Sequence, residues 1–241
     1  MNVIAVIPAR FYSSRFPGKP LADIKGKPMI EHVYRRVCRV KGLKEVYVAT
    51  DDDRIYNTVK DFGGNAVMTS KACSSGTDRV AEVVANLDCD IVVNVQGDEP
   101  LLEPLMVEQA LKPFAEEKNL NMSTLMKEIG DPGEVENPNV VKVVVDKDGY
   151  ALYFSRSPIP HPRNSGARYY KHIGLYIYRR KFLMNLTQME QTELEKVESL
   201  EQLRVLENGY KIKVVETEFD SIGVDTPEDI ARVEKIMEGC N

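Results

Sequence analysis

Tryptophan is absent from the 241 residues, and histidine and cysteine are scarce, at three and four. His32, His161 and His172 are too few and too scattered for a zinc site. Cys38, Cys73, Cys89 and Cys240 form no CxxC pair, so they read as reduced, mostly buried thiols of a cytosolic protein. No apolar run approaches the roughly 20 residues that span a bilayer. The opening residues lack a basic region ahead of a cleavable apolar stretch, so no signal peptide is expected. Cationic excess is missing too. The net charge of -5 argues against nucleic acid or an anionic membrane as a partner. No GxGxxG follows the first strand pattern, which removes the fingerprint of an NAD-dependent oxidoreductase. Internal repeats and low-complexity stretches are also lacking.

What the chain does have begins at once. Asn2 to Pro8 (NVIAVIP) is short, apolar and β-branched, the pattern of a buried strand. It opens into ARFYSSRFPGKPL, which carries Arg10, Arg15 and Lys19 within ten residues. A basic Ser/Gly/Pro loop directly after a buried strand resembles a phosphate-binding loop at the carboxyl edge of a parallel sheet. Arginine offers a forked donor to phosphate oxygens and lysine a mobile point charge. Pro17 and Pro20 stiffen the loop, and Gly18 allows close backbone approach. The competing reading is a solvated basic loop.

Strands and helices then alternate. Helical spacing covers Pro28 to Val40, with His32 as a packing or surface residue. Glu45 to Thr50 is a strand, followed by Asp51, Asp52 and Asp53, which read as the cap of a helix around Arg54 to Phe62 rather than as metal ligands. Gly63 and Gly64 end that helix, and Ala66 to Thr69 is a short strand. CSSGTDR (73–79) leads into a helix over Asp78 to Leu87. Its backbone N–H groups could recognise an anion or a base edge, or Thr77 could simply cap the helix. Asp90 to Val95 is a central strand running into Gln96-Gly97-Asp98-Glu99-Pro100. A carboxylate there points into the crevice where open α/β sheets bind ligands, so Asp98 is a candidate Mg²⁺ ligand, against the alternative of a turn aspartate.

Leu105 to Glu117 reads as an amphipathic helix. Beyond it, strands follow one another without helices: Asn121 to Glu128, Val140 to Asp146, Tyr150 to Phe154 and Tyr170 to Arg179. That shift predicts a second lobe over about 121–209 inside one domain of residues 1–241, with 1–120 and 210–241 as its core. Alternation in Tyr170 to Arg179 puts His172, Gly174, Tyr176 and Tyr178 on one face. Lys181 to Gln188 and Thr192 to Glu207 read as helices, the second carrying Glu198 and Gln202 on one face. Lys211 to Glu216 is a strand, and DSIGVDTP (220–227) turns into a last helix, Glu228 to Met237. Asp225 is either the cap of that helix or a second Mg²⁺ carboxylate paired with Asp98.

IPARFYSSRFPGKPL, VVNVQGDEP, SRSPIP, HIGLYIYRR, ESLEQLRVLENG and IGVDTPEDI together resemble the 3-deoxy-manno-octulosonate cytidylyltransferases (CMP-Kdo synthetases), in the same order over essentially the whole chain. The resemblance implies a Rossmann-like α/β nucleotidyltransferase fold with a mixed, mainly parallel central sheet and a smaller dimerisation and sugar-binding lobe. It implies CTP and Kdo as substrates, CMP-Kdo and pyrophosphate as products, Mg²⁺ as cofactor, and a cytoplasmic homodimer in lipopolysaccharide biosynthesis. On that basis Ala9, Arg10, Ser13, Arg15, Lys19, Ser74, Ser75, Gly76 and Asp98 would bind the nucleotide. Lys19, Arg10, Asp98 and Asp225 would carry the chemistry, with Asp98 and Asp225 on Mg²⁺ and a second Mg²⁺ on the β,γ-phosphates. Gln96, Arg156, His172, Tyr176, Glu198 and Gln202 would line the Kdo pocket, with Arg156 or His172 pairing with its carboxylate. The alternatives are the same chemistry on another sugar acid, as in CMP-sialic acid synthetases, and a non-catalytic nucleotide-binding module.

Overall fold

A computed structural model describes residues 1–12 and 16–239. In chain order the elements are β1 (Val3–Ala9), a 3-10 turn (Lys19–Leu21), β2 (Asp23–Ile24), β3 (Lys27–Pro28), α1 (Met29–Val37), β4 (Glu45–Thr50), α2 (Asp53–Asp61), β5 (Ala66–Met68), α3 (Gly76–Ala85), β6 (Ile91–Asn94), α4 (Pro104–Leu111) and α5 (Pro113–Glu116). They continue with β7 (Met122–Glu128), α6 (Pro132–Glu136), β8 (Lys142–Val145), β9 (Ala151–Ser155), β10 (Tyr170–Arg179), α7 (Arg180–Leu186), α8 (Glu193–Glu198), α9 (Gln202–Glu207), β11 (Lys213–Glu216) and α10 (Pro227–Gly239). The chain forms two compact units, 1–108 with 221 onwards, and 109–220. The second contains all of the 121–209 segment.

The first unit is built on four parallel strands in the order β6-β1-β4-β5. β1 is apolar throughout, and β6 up to Asn94, because helices cover a parallel sheet on both faces; Ala5, Val6, Ile7, Val92 and Val93 are fully buried. Parallel strands end at one edge, so the loops after Ala9, Thr50 and Asn94 all leave from the same side. α10 contributes Val233 to a separate core cluster with Ile24, Met29, Leu101 and Val224. That cluster anchors the last loop of the chain beside the loop after β6.

The second unit is mixed: β11 is parallel to β7, while β10 is antiparallel to β7 and β8, and β8 to β9. A register shift between Ile173 and Ile177 interrupts the β10–β7 ladder. His172 and Tyr176 nevertheless share a face, their rings 5.4 Å apart, with Tyr176 and Tyr178 stacked at 6.1 Å.

Several sequence expectations need correction. The helix expected over 105–117 is two, α4 and α5, because Pro113 has no N–H to continue the ladder. The helix expected over 192–207 breaks at Ser199, whose left-handed φ of 53° ends α8. Glu198 and Gln202 therefore belong to different helices and do not share one face of a continuous helix. A buried bidentate pair ties the break together, Arg204 Nε and Nη2 donating to Glu195 at 2.7 and 2.5 Å. α3 is capped by Ser75, in a capping box with Asp78, and not by Thr77. Cys38 is exposed and Cys73 half-buried, so of the described thiols only Cys89 is buried. Asp52 caps α2 by accepting from the Arg54 N–H at 3.0 Å, as its position predicts.

Candidate active site

In the first unit, three oxygens converge on one ammonium. Lys19 Nζ lies 2.6 Å from Asp98 Oδ2, 2.8 Å from the Val224 carbonyl and 3.5 Å from Asp225 Oδ1. The geometry starts at Gly18, whose φ of +76° no L side chain adopts readily and whose N–H donates to the Phe11 carbonyl at 2.7 Å. That bond closes the loop, and Pro20 locks the turn that carries Lys19. On the opposite side Gly97 lets the loop after β6 lie against the end of β1. A Cβ at Gly97 would meet the Pro8 carbonyl oxygen at 2.8 Å. The Val224 N–H donates to the Asp98 carbonyl at 2.9 Å, which joins the two acidic loops.

Asp225 stands two residues ahead of α10. Asp229 Oδ2 accepts from the backbone N–H groups of Asp225 and Thr226, each at 2.9 Å. The Asp225 carboxylate faces Lys19 at 3.5 Å. Glu99 follows Asp98 but turns inward and is buried. Burial pushes its carboxyl up to about 7, helped by the neighbouring Asp98 charge and opposed by a hydrogen bond with Ser221.

Arg10 leaves the end of β1 and its Nη2 donates to the Cys73 carbonyl at 3.1 Å, which brings it to the loop of Ser74, Ser75 and Gly76. Gly76 sits where an added Cβ would touch the Pro8 ring at 3.4 Å. Ala9, Arg10 and the amino end of α3 are thus neighbours at one edge of the sheet. Asp51 is the partner of the buried Arg79 at 2.9 Å. Ser13 and Arg15 lie outside the described residues.

The second unit holds a distinct polar cluster. Glu198 accepts from Ser155 Oγ at 2.7 Å and from the Arg156 N–H at 2.9 Å. The Arg156 guanidinium donates to the carbonyls of Glu198 at 2.7 Å and Pro138 at 3.0 Å. Lys142, fully buried in β8, donates to the carbonyls of Asn137, Val140 and Arg156 at 3.0, 2.6 and 2.5 Å. Tyr176 donates to Gln202 Oε1 at 3.1 Å, and the other amide atom, Nε2, is buried with no partner among the described residues. Either orientation of the amide leaves one of its two atoms unsatisfied. His172 Nε2 is 2.9 Å from Thr124 Oγ1, and burial pushes its imidazole down to about 3. Burial favours the neutral form of His172, while Arg156 is a permanent cation. Gln96, in the first unit, is half-buried two residues ahead of Asp98.

Comparison with known proteins bears on the chain as a whole. The cytidylyltransferase family profile matches residues 4–212. A 3-deoxy-manno-octulosonate cytidylyltransferase of Geotalea uraniireducens is 56% identical over 97% of this chain and 98% of its own length. The enzyme of that name from Geotalea daltonii is 55% identical over 97% of each. The chain belongs to the cytidylyltransferase family, among the 3-deoxy-manno-octulosonate cytidylyltransferases. A solved CMP:2-keto-3-deoxy-manno-octonic acid synthetase complexed with CTP superposes with a TM-score of 0.96 at 47% identity, covering all of both chains. A 4-diphosphocytidyl-2C-methyl-D-erythritol synthase from Anaerococcus prevotii shares the fold alone, with a TM-score of 0.64 at 17% identity. The expected α/β cytidylyltransferase fold is therefore the one observed.

Sequence reading missed the supporting residues of this cytidylyltransferase. The Val224 carbonyl and the Cys73 carbonyl carry no side-chain signal. Lys142 did carry one: a charged residue at the head of KVVV, on a strand that must bury a face. Ser155 sits beside Arg156 in SRSPIP and could have been found there.

Proposed function

We propose that this chain transfers CMP from CTP to 3-deoxy-manno-octulosonate, forming CMP-Kdo and releasing pyrophosphate. Support comes from the full-length likeness to enzymes of that name and from a 47% identical structure complexed with CTP. The observation that carries the chemistry is the convergence of Asp98, Asp225 and the Val224 carbonyl on a single cation.

That all-oxygen set fits Mg²⁺, which prefers carboxylates with phosphate and water completing its shell. Among the described residues no third carboxylate, His or Cys joins the group, in keeping with a metal shared with substrate phosphates. Asp98 and Asp225 would hold Mg²⁺, whose chemistry when bound is to neutralise phosphate charge and lower the pKa of the attacking hydroxyl.

Arg10 and Lys19 bind and orient the triphosphate, with Ser13 and Arg15 as further candidates. The anomeric hydroxyl of Kdo attacks the α-phosphorus in line, one P–O bond forms, and the bond to the pyrophosphate oxygen breaks. Lys19 stabilises charge at the α-phosphate and the leaving group. The Ala9 backbone and Ser74-Ser75-Gly76 read the cytosine edge. For the sugar acid, the Gln202 amide has one buried atom with no partner among the described residues, and burying it costs free energy until a ligand group pairs with it. Arg156, Glu198, His172 and Tyr176 supply further donors and acceptors, with Arg156 the pairing group for the carboxylate.

The same reading makes the protein a cytoplasmic homodimer in lipopolysaccharide biosynthesis. Among the described residues no helix is long and apolar enough to cross a membrane. Light scattering on the eluting species tests the dimer. Pyrophosphate release with Mg²⁺, measured across four nucleoside triphosphates with Kdo and then N-acetylneuraminate, tests the reaction. Release with CTP and Kdo alone is the expected result. Release with the sialic acid instead would leave the nucleotide assignments and discard those for the sugar.

A further inference from the structure

The ammonium of Lys19 lies between Asp98 and Asp225, the two carboxylates that would hold a divalent cation. Its Nζ is 2.6 Å from Asp98, 3.5 Å from Asp225 and 2.8 Å from the Val224 carbonyl. The Lys19 side chain is largely covered, and no other cation is recorded against Asp98 among the described residues. Both acidic loops are anchored from behind: the Val224 N–H on the Asp98 carbonyl, Asp225 N–H on Asp229, and Gly97 pressed on Pro8. The carboxylates are therefore held in place by the backbone. Lys19 is the mobile partner, on a flexible four-carbon stem.

We propose that Lys19 is a resident cation of this site, which keeps the carboxylate cage filled until nucleotide arrives and so makes metal binding conditional on nucleotide. Two cations cannot share hydrogen-bonding distance of the same carboxylate oxygen without strong repulsion. A divalent ion meeting the free enzyme has to expel the ammonium with nothing to receive it. A triphosphate offers the ammonium another set of oxygens, so Lys19 leaves the cage as the phosphates arrive. The carboxylates are then released at the moment when phosphate oxygens are present to complete a metal shell. The order is nucleotide first, or nucleotide and metal together. This inference rests on the metal assignment above and not on the identity of the sugar.

The test is a Mn²⁺ titration of the full chain without nucleotide, read by the electron paramagnetic resonance signal of the free ion. Wild type, Lys19→Met, Lys19→Gln, Arg10→Met and the double variant Lys19→Met/Asp98→Asn are compared, each with a circular dichroism spectrum. The expected result is a site at least about tenfold tighter in both Lys19 variants than in wild type, absent from the double variant and unchanged from wild type in Arg10→Met. The glutamine variant serves if the methionine variant does not fold. Equal affinity in wild type and the Lys19 variants, dependent on Asp98, overturns the resident-cation role alone. An equal gain in Arg10→Met also overturns it, because a general loss of positive field would then explain the effect. No Asp98-dependent site in any variant overturns it together with the metal assignment.

Discussion

The α-carbon of Gly97 stands so close to Pro8 that a methyl group on it would lie 2.8 Å from the Pro8 carbonyl oxygen. The obstacle is backbone in the middle of a parallel sheet edge, so it cannot swing aside. Gly97→Ala must push the loop off β1 and carry Asp98 with it. A displacement of about 1 Å at a reacting group costs on the order of a hundredfold in rate. We expect kcat to fall by about that factor and stability by about 1–3 kcal/mol. Steady-state pyrophosphate release and urea unfolding measure both. A variant with wild-type kcat would mean that the close approach does not set the position of Asp98.

The same residue shows what could be read from the chain beforehand. QGDEP after an apolar strand pointed to Asp98 because strand ends at a sheet edge are a property of topology, and topology follows from alternating strand and helix patterns. The basic loop was placed by the same reasoning, whereas Asp225 was read only as either a helix cap or a second metal carboxylate. What stayed hidden depends on contacts between distant segments. The approach of Asp225 to Lys19, far earlier in the chain, is such a contact. The break at Ser199 was invisible because the apolar spacing runs through it; a left-handed residue there is held by the Glu195–Arg204 pair, a tertiary contact. His172 was marked as a site residue, but its loss of charge comes from burial that one strand's pattern cannot report.

The Lys142 ammonium donates to three carbonyls. One of them belongs to Arg156, so the ammonium fixes the backbone from which Arg156 and its partner Glu198 are hung. Lys142→Met keeps the stem and removes the donor, leaving those carbonyls unsatisfied at a cost of about 2–3 kcal/mol. The effect on the reaction is selective. The KM for Kdo should rise by about tenfold while that for CTP stays within about twofold, because positioning is lost only on the sugar side. Equal increases in both constants would point to general destabilisation instead.

Glu195 and Arg204 are both largely buried and pair with two hydrogen bonds. Removing one partner leaves an uncompensated buried charge, so Arg204→Met should lose about 3–5 kcal/mol in urea unfolding. Replacing both, as Glu195→Leu with Arg204→Met, removes the unpaired charge and should recover most of that loss. A double variant as unstable as the single one would show that the pair acts through the helix break at Ser199 and not through its charges.

His172 gives the fold a dependence on pH whose sign is fixed. Its folded pKa is depressed to about 3 from 6.5 by burial alone, so the folded state binds fewer protons than the unfolded one between those values. Stability from this group is complete above pH 6.5 and is lost as the pH falls toward 3. The loss is at most about 1.4 kcal/mol per pH unit. His172→Gln keeps a side chain that can bond Thr124 and has no proton to gain. Urea unfolding at pH 7 and pH 5 should show wild type losing more stability than the variant across that interval. If both lose the same amount, the acid sensitivity resides in the carboxylates, and His172 does not titrate between the folded and unfolded states.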